Sequence, residues 1–519
     1  MSELFLFVAY MFFCFRRVLR YLQLYQQEEY QGVRFIKRLV LNRAYDTRAT
    51  VCILLVYAGS WFFLPLESLL AVVFFVLALF EEDPRKTGKL PLKMTERARA
   101  ILYIALVLQA GAYMLFPAHM LALVVLVQLL PLFLPCANAV HQPYERRKQA
   151  RFLAEARKIL EEVSPFIIGI TGSFGKTSTK YALAKVLQVT LGSVFWPPRS
   201  YNTVMGITRE IRERLVKGHT YAIIEMGAYT IGSIRKLCAF TPPKAAIITG
   251  VGTCHLDRFG SPENIVTAKS ELAEALPPDG ILVCNADNDG ARAIAERFAL
   301  KRTFFYGFDN SRQDLDCLAT DIHFSERGTH FKLYWKGVCY DGFTPLFGRT
   351  ALSNVLAAYT MACALGADPE FVLATIATLE PVDNRLQVKK RDGSYFVHDA
   401  FNSNPAGFAA ALEVLQALPA KRRIVMTPGM IELGPDQARE NSAAAQRAGQ
   451  VCDLALIVGE TNQEWLTKGF KEAGLPDDKI ICCKTRDAAF ERLFAITEKD
   501  DCILIENDLT DIYEYTAKF

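Results

Sequence analysis

The stretch GITGSFGKTSTK, residues 169–180, limits the folds open to this chain more than any other feature. The apolar run PFIIGI (165–170) precedes it, and TKYALAKVLQVT follows at helical period. Strand, glycine loop and helix in that order are the context of a phosphate-binding loop. Gly172 and Gly175 let the backbone close around phosphate oxygens, and the first N–H groups of the helix point at the anion. Lys176 is placed to reach terminal phosphates, and the Thr177 hydroxyl to bind Mg²⁺. The general pattern has a glycine five positions before Gly175; Ile170 stands there, so this is the G-x-x-G-K-T variant.

The first 140 residues read differently. Apolar residues make up 51% of the 519, and they concentrate there. The run at 4–15 is short and uninterrupted, whereas 51–80 and 101–135 are too long for one crossing of about 20 residues. Pro65 with Glu67, and Pro117, divide the two longer runs into hairpins of two short helices each, giving about five spans. Arg and Lys clusters at 16–48, 81–99 and 146–151 place those segments in the cytoplasm by the positive-inside rule. A signal peptide is the rival for 4–15, and a buried, non-spanning helical domain is the rival for the whole region. The stretch 145–163 reads as an amphipathic linker helix. A formal net charge of +4 offers no argument for nucleic acid, and thirteen scattered cysteines read as reduced thiols.

Downstream, YAIIE (221–225) is an apolar strand ending in Glu225, a position suited to a metal-binding carboxylate. AAIITG (245–250) is a further strand, followed by a loop with His255; a lone histidine is more often structural. Lys269 lies on a helix, where a lysine is usually solvated. Alternation in DIHFSERGTHFKLYWKGVCYDG predicts an antiparallel insert near 318–342. Residues 422–429, 454–459, 479–483 and 502–507 read as strands of a last α/β domain.

Taken together, GITGSFGKTS, SYNTVMGI (200–207), IIEMGAYTIGSI (223–234), GTCHLDRFGSPENIVTAKSEL (252–272), CNADND (284–289), LFGRTALSNVLAA (346–358), DNRLQ (383–387), HDAFNSNPAGFAAAL (398–412) and MIELG (430–434) resemble the Mur ligase family, and its MurF-type members most. Hydropathy gives an α-helical transmembrane region (1–140) and a linker helix (141–164); the resemblance implies, after them, a P-loop ATP-binding α/β domain with a parallel sheet (165–380) and a Rossmann-like α/β domain (381–519). It implies ATP bound by Gly172, Ser173, Gly175, Lys176, Thr177 and Ser178, with Asn354 at the adenine, Arg385 at the γ-phosphate and Asp399 at the ribose. It implies two Mg²⁺ sites drawing on Thr177, Glu225, His255 and Lys269, the lysine as a CO₂-derived carbamate. Lys176, Lys269, His255 and Arg385 would be catalytic, and Asn202, Thr203, Asn402 and Asn404 would line the substrate cleft.

The implied reaction is formation of an acyl phosphate on a carboxylate and its condensation with an amine, on a peptidoglycan-type precursor at the bacterial inner membrane. Small-molecule or lipid-linked substrates and the bilayer are the expected partners. The alternatives are another amide, on a lipid-linked or poly-amino-acid substrate, and a membrane P-loop ATPase or transporter. A non-catalytic nucleotide-binding scaffold is opposed by the intact Lys176, Glu225, His255 and Lys269. Two departures stand out. The membrane region occupies the place of a UDP-sugar-binding domain, and Glu506, Asp508 and Asp511 make an acidic end that reads either as a rim for an amine or as a solvated loop.

Overall fold

The computed structural model describes residues 2–41, 46–60, 66–86, 90–115, 120–252, 256–325, 327–381, 385–400 and 403–508. They form two compact units, one within residues 2–150 and one spanning Arg151–Asp508.

The N-terminal unit is helical. Both long apolar blocks divide as expected, into Thr47–Ser60 with Leu66–Phe80, and Glu96–Leu115 with Met120–Leu129. Among the described residues two helical stretches, Glu96–Leu115 and the apolar part of Ala122–Val163, are long and apolar enough to cross a membrane; Thr47–Gly59 and Leu66–Phe80 are shorter. The first helix does not stop at residue 15 but runs Ser2–Gln27. Its arginines are not loop charges. Arg17 is buried against Asp46 (3.2 Å) and Glu81 (2.7 Å), and Arg20 also reaches Glu81 (3.2 Å). Here positive charge is spent inside the bundle, so these residues do not report membrane sidedness. The stretch 145–163, expected as a linker helix, is helical and continuous with the residues before it: one helix runs Phe133–Val163, with Pro143 inside it.

The larger unit holds two sheets. The first comprises β1 (Phe166–Thr171), β2 (Val194–Phe195), β3 (Tyr221–Glu225), β4 (Ala245–Ile248), β5 (Ile281–Asn285), β6 (Arg302–Gly307), β7 (Cys317–Ser325), β8 (Gly328–Trp335) and β9 (Val338–Thr344). Their order is β2-β3-β1-β4-β5-β6-β7-β8-β9. Strands β2 to β7 run parallel, and β7-β8-β9 is the expected antiparallel meander, which extends this sheet. The chain leaves β1 for β2 and β3 on one side and returns to β4 on the other. That makes the carboxyl end of β1 the switch point where such sheets bind ligands.

Burial on both faces explains the unbroken apolar strands. Ile168 and Ile170 pack into a core with Leu183 and Leu187 of the helix Lys176–Thr190 and Leu352 and Val355 of the helix Arg349–Ala364. Ile167 packs with Leu272 of the helix Pro262–Glu274 on the opposite face. A side chain at Gly169 would sit 2.7 Å from Leu272 Cδ1, so the glycine lets that helix lie close to β1.

The second sheet comprises β10 (Gln387–Arg391), β11 (Ser394–Asp399), β12 (Arg422–Thr427), β13 (Leu454–Val458), β14 (Ile480–Cys483) and β15 (Asp501–Glu506), ordered β10-β11-β15-β12-β13-β14. All pairs are parallel except β10 with β11. The four late strands fall where sequence placed them. The edge strand β10 was hidden by its charged sequence, QVKKR, which suits an edge open to water.

Candidate functional site

The site begins at the carboxyl end of β1. Gly172 has φ +158° and Gly175 φ +80°. A Cβ on Gly172 would lie 2.0 Å from Thr249 Oγ1, and one on Gly175 2.3 Å from Asn354 Oδ1. At Gly175 the left-handed backbone and the lack of space both demand glycine. The turn is pinned to the loop after β4: Ser173 N donates to Gly250 O (2.7 Å), and Ser173 Oγ exchanges hydrogen bonds with Gly252 O (3.0 Å) and Gly252 N (2.9 Å). Lys176 Nζ folds back over this turn, donating to Gly172 O (2.7 Å) and Ser173 O (3.4 Å).

Glu225, at the end of β3, is 1% exposed and faces the start of the helix Lys176–Thr190. Its Oε2 accepts from Thr177 Oγ1 (2.9 Å) and from Lys180 Nζ (3.1 Å), and its Oε1 from Asn202 Nδ2 (3.3 Å). Arg385 reaches the same point from the second sheet's side, its NH2 donating to Thr177 Oγ1 (3.4 Å). Burial lowers the pKa of both Lys180 and Arg385, and Glu225 opposes the shift in each.

Asn354 sits on the helix Arg349–Ala364, where its Oδ1 accepts from Thr179 Oγ1 (3.1 Å). Thr203 caps the helix Val204–Arg214, its hydroxyl accepting from Gly206 N (3.3 Å). Asn404 does the same for Pro405–Ala417, accepting from Gly407 N (3.0 Å). Asn404 also lines a cavity together with Asp399 and Ser403. Lys269 is buried on the helix Pro262–Glu274, not solvated. His255 and Asn402 lie outside the described residues, as does Asp511.

Two cavities meet at Thr177. One of about 970 Å³ is bounded by Tyr181, Phe347, Asn354, Leu379 and Arg385. The other, about 230 Å³, lies between the phosphate loop with Glu225 and a facing wall of Asp399, Ser403 and Asn404. Asp399 accepts from Leu386 N (3.1 Å). Burial pushes its carboxyl up to about 6 against the pull of that N–H and of Arg385. Of the acidic end, Glu506 offers no exposed rim charge. Glu506 is fully buried on β15, in register beside Asp399 of β11, and accepts from the Ser403 hydroxyl. Burial first, and the Asp399 charge second, raise its pKa well above the usual range. Asp508 pairs with Arg486 (2.9 Å).

The donor set fits a hard divalent cation, because Thr177 and Glu225 offer adjacent oxygens. The glycine cradle fits a nucleotide phosphate, because a Cβ would fill it. No group of three or more His, Cys, Asp or Glu side chains is assembled among the described residues. Sequence reasoning missed Lys180, although it lies within the loop motif; its position four residues after Lys176, one helical turn on, was the available signal. It also missed Arg258, whose NH2 lies 3.2 Å from Glu432 Oε1.

Fold and site together define a P-loop nucleotide-binding α/β protein whose second sheet delivers an arginine to the phosphate loop. The Mur ligase middle domain matches residues 170–362, and the Mur ligase glutamate ligase domain matches 384–506. A UDP-N-acetylmuramoyl-tripeptide–D-alanyl-D-alanine ligase of Mycobacterium leprae is 32% identical over 366 residues, 66% of this chain and 70% of that protein. The chain belongs to the Mur ligase family. The Escherichia coli enzyme of the same name is 30% identical over 306 residues, 58% of this chain and 66% of its own length. Against Mycobacterium tuberculosis the match spans 59% of the relative, so the chain covers a little under two thirds of several of these proteins. Among solved structures, MurF from Acinetobacter baumannii superposes with a TM-score of 0.62 at 23% identity, covering 69% of this chain and 77% of that one. MurF from Thermotoga maritima in complex with ADP gives 0.61 at 25%, covering 69% and 80%.

Proposed function

We propose that the chain is an ATP-dependent, ADP-forming amide ligase of the MurF type. A substrate carboxylate oxygen attacks the γ-phosphorus of ATP, the bond to the β–γ bridging oxygen breaks, and ADP leaves an acyl phosphate. The amine nitrogen then attacks the acyl carbon, the acyl–oxygen bond breaks, and phosphate and the amine's proton depart. Lys176 and Arg385 offset charge on the transferring phosphoryl group. The observation that carries the reading is the meeting of Thr177, Glu225 and Arg385 at the phosphate loop, with a second cavity opposite for acyl group and amine.

Thr177 and Glu225 would hold one Mg²⁺, and His255 and Lys269 a second. Bound there, the metal supplies neutralisation of phosphate charge and orientation of the phosphates. Burial of Lys269 supports a role in the site. In its finer form that role is a carbamate, tested by partial rescue of Lys269→Ala with chloride or acetate. The adenosine takes the larger cavity beside Asn354, its ribose directed toward Asp399 of the adjoining smaller cavity, with Asn202, Thr203, Asn402 and Asn404 along the substrate cleft. In domain terms this reads as a helical region to residue 140, the helix that follows, a central domain to 380 and a last domain beyond.

UDP-N-acetylmuramoyl-tripeptide and D-alanyl-D-alanine, taken from the relatives' names, are the first substrates to try. A second reading, a lipid-linked or polymeric acceptor, is favoured by the apolar helices of the N-terminal unit, which we read as holding the enzyme at the inner membrane. Retention of the chain in the membrane pellet after carbonate washing checks the anchoring; release into the supernatant ends it. Phosphate release that requires both a carboxylate and an amine, with an amide of the expected mass, supports the ligase. ATP turnover indifferent to both substrates supports a P-loop ATPase instead.

A further inference from the structure

Lys180 has no role in the reading above, yet it is the most deeply buried cation of the site. It is 0% exposed, and its ammonium lies 3.1 Å from Glu225 Oε2. The same Nζ donates to the carbonyl of Arg199. Arg199 is held from its other side too: its N–H donates to the hydroxyl of Tyr181 (2.8 Å). Consecutive residues of one helix therefore clamp both faces of Arg199, which adopts a left-handed φ of 53°. An arginine enters that region rarely and needs such restraint. The segment so fixed runs on to Ser200, whose Oγ is 3.4 Å from Thr177 Oγ1, and to Asn202, which donates to Glu225.

A carboxylate buried as completely as Glu225 is strongly unfavourable without a cation. Lys180 is a cation within ion-pair distance of it, 3.1 Å from Oε2. A divalent ion arriving at Glu225 would add charge to a carboxylate already neutralised. The two cations would then share one oxygen pair, and the ammonium would keep its second partner, the Arg199 carbonyl.

We propose that Lys180 is a positioning residue: it stands in for the metal at Glu225 before Mg²⁺ and nucleotide arrive, and ties that carboxylate to the 199–202 segment. This rests on Glu225 as the metal-binding carboxylate. Lys180 acts through Glu225 and Arg199 and need not touch substrate.

The test uses the full chain in detergent, with Mg²⁺ alone as probe and thermal melting as readout. Lys180→Met lowers the melting temperature of metal-free protein, and millimolar Mg²⁺ recovers at least half of that loss. Wild type gains less than a third as much from the same Mg²⁺, and Na⁺ at matched ionic strength recovers nothing in either. Lys180→Arg, which keeps a cation, responds as wild type does. If Lys180→Met alone does not fold, the double variant Lys180→Met/Glu225→Gln decides. It folds and ignores Mg²⁺ if charge pairing is the issue, and its failure to fold assigns Lys180 to packing and overturns the proposal. Equal Mg²⁺ gains in wild type and Lys180→Met overturn it as well, and so does a gain in neither. A gain in Lys180→Met that survives Glu225→Gln would instead place the metal elsewhere and sink the reading of Glu225.

Discussion

At residue scale the site is built from groups that have little freedom. Gly175 is an instance where two independent constraints agree, a left-handed backbone and a neighbouring Asn354 oxygen 2.3 Å from any added Cβ. Gly175→Ala should abolish ATP binding in a calorimetric titration while leaving far-ultraviolet circular dichroism unchanged; nanomolar-to-micromolar binding retained by the variant would contradict the phosphate-loop reading. Lys176→Ala removes the charge proposed to offset the transferring phosphoryl group and should lower kcat by about 10²–10³-fold.

The Asp399–Glu506 pair gives a pH signature. Both carboxyls have folded-state pKa values above their ordinary ones, Asp399 at about 6. A raised carboxyl favours the folded state when protonated. Its stabilisation is present in full below the ordinary value near 4, and is lost as pH climbs through the folded value. For Asp399 the loss falls between about pH 4 and 6. For Glu506 it begins near the ordinary value and extends well above it. Glu506→Gln mimics the protonated acid and retains an acceptor for Ser403. The variant should therefore match wild type in urea melts near pH 4 and become progressively more stable than it as pH rises; a difference that shrinks with pH would show the sign to be wrong.

At the scale of elements, close helix packing is decided at glycine. The helix Gln463–Glu472 lies against Gln437–Gly449, and a Cβ at Gly469 would be 2.2 Å from the backbone oxygen of Ser442. Helix propensity alone favours Gly469→Ala by about 1 kcal/mol. Overpacking against a backbone atom, which cannot rotate away, costs about 1–3 kcal/mol or more. The net expected change is destabilising, read as a lower urea midpoint at unchanged slope; a higher midpoint would mean the helices separate freely. This kind of contact also marks the limit of what was legible beforehand. Strands such as PFIIGI and CILIEN announce themselves because both faces are buried and the apolar run is unbroken. Strand β10 does not, because its QVKKR lies at an open edge where propensity carries little information. Lys269 and Lys180 look like ordinary solvated helix lysines in one dimension, and only the packing of the helix Pro262–Glu274 on β1 and of Lys180 on Glu225 shows them buried. Arg16, Arg17 and Arg20 deceived in the opposite sense, since a charge count cannot tell a loop arginine from one held inside a helical bundle, Arg17 and Arg20 by the Glu81 carboxylate and Arg16 by the Glu81 carbonyl.

At the scale of the whole catalytic unit, polar contacts tie the elements of one sheet to those of the other. Arg385 reaches Thr177, and Arg258 reaches Glu432 with its guanidinium 4.7 Å from the ring centroid of Tyr229. The Arg258–Glu432 pair is partly exposed, so its contribution to stability is small, about 1 kcal/mol or less. Its location matters more than its strength. An acyl phosphate is useful only while water is kept from it, and a pair that ties the segment after β4 to the segment after β12 is placed to act on that exclusion. Glu432→Ala should leave the melting temperature within a degree or two and leave the affinity for ATP nearly unchanged. It should raise phosphate release relative to amide formed, as the activated intermediate is lost to water during incomplete closure. Measuring both products in one reaction separates this from simple inactivation, which lowers them together. A variant with tight coupling and a lower rate would mean that Glu432 orients substrate instead, and the restoring double variant, Arg258→Glu with Glu432→Arg, should recover coupling only if the contact itself is what keeps the cleft shut.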